Sequence, residues 1–100
     1  HQMCIRDRLI VATVYSFFNK LFIYHSIDNK KEASKILGIN PYFIEEYHQA
    51  SAIYSMKKIS KIFDYLLEAD KRSKGIDFDA TNNEAILYDL VYKIFNFNLE

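Results

Sequence analysis

Ser55-Met56-Lys57-Lys58-Ile59-Ser60-Lys61-Ile62-Phe63-Asp64-Tyr65-Leu66-Leu67-Glu68-Ala69-Asp70-Lys71-Arg72-Ser73-Lys74-Gly75 decides the fold class. Ile59, Ile62, Phe63, Leu66 and Leu67 recur at intervals of three and four, which gathers them on one face of an α-helix, and Lys57, Lys58, Lys61, Asp64 and Glu68 fall largely off it. Ser55 is the kind of residue that caps such a helix, its hydroxyl accepting from a backbone N–H of the first turn. Gly75 is the expected stop. Near that end, Glu68 with Arg72 and Asp70 with Lys74 are spaced i,i+4 in the favourable order, each worth roughly 0.3–0.5 kcal/mol. Cations also suit a helix C-terminus electrostatically.

Working towards the N-terminus, Leu37-Gly38-Ile39-Asn40-Pro41-Tyr42-Phe43 reads as one helix stopping and another starting. Gly38 supplies the left-handed conformation of a C-cap. Asn40 then accepts as an N-cap, and Pro41 takes the first helical position, where its missing N–H costs nothing. The spacing predicts a short second helix over residues 30–37 that buries Ala33, Ile36 and Leu37. A third, over residues 41–54, aligns Phe43, Tyr47, Ala50 and Tyr54 on one stripe. The first helix is expected over residues 9–26, ending at Asp28-Asn29. Beyond the fourth helix, Thr81-Asn82-Asn83-Glu84 has the spacing of a capping box and opens a fifth helix over residues 82–96. That helix is expected to bury Leu87, Leu90, Val91 and Ile94, with Tyr88, Tyr92 and Phe95 on an adjacent stripe.

Composition supports an all-α reading and a single domain. The 100 residues are 50% hydrophobic and 26% charged, and only 2 Gly and 1 Pro supply turn chemistry. The 13 Lys and Arg balance the 13 Asp and Glu, which disfavours binding nucleic acid through overall charge. The single Cys4 excludes an internal disulfide, and a cytoplasmic setting fits. Met3-Cys4-Ile5-Arg6-Asp7-Arg8 resembles the conceptual translation of a sequencing adaptor. Residues 1–8 are therefore set aside as an adaptor-derived or disordered tail, and the helical domain is taken as 9–100. On that reading the natural sequence begins near Leu9 and has lost upstream domains. The apolar run from Leu9 to Tyr24 is too short and too interrupted by Thr13, Ser16, Asn19 and Lys20 for a membrane span.

Motifs that might carry chemistry are each incomplete. Ser55-Met56-Lys57-Lys58 matches the S-x-x-K of serine acyl-enzymes, but the companion elements are absent. Asp77, Asp79, Thr81 and Asn83 alternate like calcium-loop ligands, yet Asn82 stands where the turn needs Gly, and Tyr88 where it needs a bidentate Glu. His1, His25 and His48 have no shared-face spacing, so no metal or other cofactor is expected. The helices around Gly38 could form a helix-turn-helix, but Glu45 and Glu46 near the start of the would-be recognition helix would repel phosphates. Lys57, Lys58 and Lys61, with Lys71, Arg72 and Lys74 further along, form the main basic concentration. The choice there is between a solvated face and a face that touches phosphates or an acidic neighbour.

The chain carries 8 Tyr and 8 Phe, more rings than one small core easily encloses. Some rings are therefore expected at the surface. Tyr88, Tyr92 and Phe95 are the candidates, either as a subunit-contact stripe or as a second core face.

Tyr15-Ser16-Phe17-Phe18-Asn19-Lys20-Leu21, Leu37-Gly38-Ile39-Asn40-Pro41-Tyr42-Phe43, Tyr54-Ser55 and Leu67-Glu68-Ala69-Asp70-Lys71-Arg72-Ser73-Lys74-Gly75 together resemble the C-terminal domain of the delta subunit of the bacterial DNA polymerase III clamp loader. The similarity covers about residues 9–95. One departure is Ala52, where that family often carries Arg ahead of the Tyr-Ser step. The resemblance implies a non-catalytic helical collar domain packed beside equivalent domains of the gamma/tau and delta prime subunits. DNA and the sliding clamp would be met only indirectly, through the complete complex.

Overall fold

In the computed structural model, which describes residues 5–74 and 80–96 (of residues 80–83 the backbone alone), every element is helical. The five α-helices are α1 (Ile5–Ser26), α2 (Ala33–Leu37), α3 (Ile44–Ile53), α4 (Met56–Ser73) and α5 (Ala80–Asn96), with single 3₁₀ turns at Lys30–Glu32 and Pro41–Phe43. The bundle is all-α, as the patterning predicts. Two starts come earlier than expected: α1 begins at Ile5, because nothing between Ile5 and Leu9 interrupts a helix, and Asp7 sits favourably in its first turn. Helix α5 begins at Ala80, which puts Thr81 inside the helix rather than at its cap. The Gly75 stop and the loop bearing Asp77 and Asp79 lie outside the described residues, as do the side chains of Thr81 and Asn83.

The capping chemistry between helices is as read. Gly38 adopts φ +69° and closes α2. The Asn40 side chain accepts the Tyr42 N–H at 2.8 Å, and the Ser55 hydroxyl accepts the Lys58 N–H at 3.2 Å. Ser55 therefore does the work of a cap, and Lys58 meets it through its backbone. At the C-terminus of α1, the Lys30 ammonium folds back to donate to the carbonyls of Tyr24, at 2.7 Å, and Ile27. It also lies 4.7 Å from the centre of the Tyr24 ring. A cation bonded to the last carbonyls of a helix is stabilised by the helix dipole as well as by the bonds.

Helix α4 is the spine. It packs against α1 on one side and α5 on the other, and α1 also carries α2 and α3. Tyr15 and Phe22 both meet Phe63, at 5.7 and 5.9 Å between ring centres, and Phe18 meets Tyr54 near the start of α4. With Arg8 and Lys74 lining one groove at the other end, α1 and α4 run antiparallel. Arg72 with Asp89, and Tyr65 with Lys93, show the same of α4 and α5. The core joins Phe18, Leu21 and Tyr24 of α1 to Ile59, Ile62, Leu66 and Ala69 of α4 and Ile86, Leu90 and Ile94 of α5.

The principal extents are 48 × 30 × 16 Å and the radius of gyration is 15.1 Å, against roughly 13 Å for a globule of 100 residues. The helices thus form a flattened layer, and this accounts for several corrections. Ile36 and Val91, expected inside, are exposed, and so are Phe43 and Leu67 of the apolar stripes. A layer one or two helices thick covers a narrower arc of each helix than a rounded core does. In their place Ala69 and Ile86 are buried. Arg72 does not take the Glu68 expected one turn back. It donates to Asp89 of α5 at 3.1 Å, whereas Asp70–Lys74 forms as expected at 3.2 Å. Among the described residues, no helix is long and apolar enough to cross a membrane.

Candidate functional site

Two polar clamps join α1 to α3. The Tyr24 hydroxyl and His48 Nδ1 are 3.0 Å apart, and His25 Nε2 donates to the Tyr54 carbonyl at 2.7 Å. Because a carbonyl only accepts, Nε2 of His25 must carry a proton. Both histidines are thus engaged in holding helices together. Among the described residues no three His, Cys, Asp or Glu side chains gather to hold a metal. Around the clamps the rings of Phe17 and Tyr47 stack with centres 4.9 Å apart, and Phe18 meets Tyr54 edge-on at 5.1 Å. Burial pushes the hydroxyls of Tyr24, Tyr47 and Tyr54 above the usual phenol range, and the carboxylates of Glu45 and Glu46 add to this at Tyr24 and Tyr47 respectively.

The basic residues of α4 do not form one face. Lys57, Lys58 and Lys61 occupy its first two turns, and Lys71, Arg72 and Lys74 its C-terminal end, roughly 20 Å away along the axis. Exposed Asp64 and Glu68 lie between them on the same outer surface. At the far end, two of the three cations are engaged, Arg72 with Asp89 and Lys74 with Asp70. This surface is of mixed sign, the usual arrangement of a solvated helix face.

Helix α5 has a different character. Ile86, Leu90 and Ile94 are turned into the core. Asp89 and Lys93 sit at the seam, where Asp89 accepts from Arg72 and pairs with Lys93, and Lys93 lies 5.4 Å from the centre of the Tyr65 ring. The hydrogen bond from Lys93, and then that from Arg72, hold the Asp89 carboxyl below its ordinary range, against an opposing effect of burial. The outward face carries Tyr88, Tyr92 and Phe95, which are 73, 67 and 70% exposed, with Val91 at their edge. Three large rings that open on one stripe of a well-anchored helix are atypical of a surface that faces only water.

A second apolar surface lies on the other flank of α4. Helices α1 and α4 diverge there around a groove of about 560 Å³, floored by Ala12, Tyr15, Phe63 and Leu67, with Asp70 and Lys74 at one end. None of the described side chains of α5 lines it. A shallower depression between α1 and α3 includes Leu9, Ala12 and Thr13. The sequence reading missed both, since a groove belongs to the divergence of two helices rather than to the periodicity of either. The mean composition of α1 held the one hint: the helix is apolar almost all round, yet Leu9, Ile10 and Tyr15 are exposed.

Comparison with known proteins returns no matching family model, no matching curated protein and no matching solved structure.

Proposed function

We propose that this domain is a non-catalytic oligomerisation module, the collar domain of a DNA polymerase III delta subunit, which helps assemble the clamp loader that places the sliding clamp on primer-template DNA. The observation that carries the reading is the outward ring stripe Tyr88, Tyr92 and Phe95 on a helix whose inner face is already buried. Aromatic side chains with an apolar body and, for tyrosine, a polar tip are the residues most enriched at subunit contacts. Further support comes from the resemblance of four stretches of the chain, in order, to that family. On this reading the partners are the gamma/tau and delta prime subunits, the setting is cytoplasmic, and no cofactor is used.

Co-purification of the chain with loader subunits tests the proposal. Tyr92→Ala and Phe95→Ala each lower recovery on the order of tenfold, as truncation of a buried interface ring does. Lys57→Ala leaves recovery nearly unchanged. Failure of the wild-type chain to bind any loader subunit sinks the proposal. The competing reading is a nucleic-acid-binding domain that uses α4, and the interleaved Asp64 and Glu68 weigh against it. Tight, steeply salt-dependent binding of the isolated chain to primer-template DNA would favour that reading instead.

A further inference from the structure

We draw no further inference here: the strongest candidate, the apolar groove between α1 and α4 floored by Ala12, Tyr15, Phe63 and Leu67, has Lys74 at its end already paired with Asp70 of the same lining, and nothing in the structure shows what covers it.

Discussion

The corner where α1 meets α3 and the seam where α4 meets α5 are both helix pairs rich in aromatic residues, but they use their rings in opposite ways. At the corner, Phe17, Phe18, Tyr24, Tyr47 and Tyr54 turn towards one another, and the polar atoms carried with them find Tyr24–His48 and His25–Tyr54 partners. At the seam the interior is aliphatic, made by Ile62, Leu66 and Ala69 against Ile86, Leu90 and Ile94. The rings of α5 stay outside. A Tyr buried without a partner for its hydroxyl costs about 1–3 kcal/mol, so the corner invests in clamps that the seam does not need. The seam, held by aliphatic packing and one exposed ion-pair cluster, leaves its rings available for another surface.

Substitutions that separate the two regions test this contrast. The largest effect is expected inside: Leu21→Ala, at a site with no solvent exposure, lowers unfolding free energy in urea by about 3 kcal/mol. Tyr92→Ala on the outer stripe changes the same quantity by less than about 0.5 kcal/mol. Equal losses in the two variants would mean that the stripe belongs to the fold and not to a docking face.

Next comes the hinge that sets α2 against α3. An added Cβ at Gly38 would meet no atom within 4 Å, so Gly38→Ala pays only for its backbone at φ +69°, about 1–2 kcal/mol by chemical or thermal denaturation. A loss as large as that of Leu21→Ala would contradict the open space around it.

Smaller still is Tyr24→Phe, which removes the bond to His48 while keeping the ring, at about 1 kcal/mol. Burial raises the Tyr24 hydroxyl above its ordinary value, so the folded chain holds that proton more tightly than the unfolded chain does. Its contribution is fully present below about pH 10 and is lost as pH rises through the higher folded value. Stability measured across alkaline pH should therefore fall less steeply in Tyr24→Phe than in wild type.

The least change is expected at the exposed seam, where Asp89→Asn costs less than about 1 kcal/mol. Asp89 is held below the ordinary carboxylate range, so its contribution is present above about pH 4 and disappears as pH falls through the lower folded value. High salt should erase most of the difference between Asp89→Asn and wild type.

Much of this architecture is legible in the chain, for identifiable reasons. Gly38, Asn40, Pro41 and Ser55 act through their immediate neighbours, so their roles as stop, cap and start are local chemistry. The face of α4 built on Ile59, Ile62 and Leu66 is likewise local, since it depends on helical period alone. Arg72 shows where such reading ends. Glu68 and Asp89 are both within reach of an arginine in that position, and only the placement of α5 selects Asp89. Lys30 is a similar case, because its role at the end of α1 depends on how the chain folds back after Asp28.

By itself, the sequence determined a helical fold, the breaks at Asp28-Asn29, Gly38 and Ser55, and which side chains share an azimuth on each helix. Only the tertiary structure decided which azimuths are covered: Ile36, Leu67 and Val91 fall outside, while Ala69 and Ile86 fall within. It also decided that the rings of α1 and α3 face each other while those of α5 face out, and that α1 and α4 part to leave a groove. The physical reason is that helical period assigns a direction around one axis, whereas burial requires a second axis on that side. Where the second axis lies is set by the summed packing of residues distant in the chain.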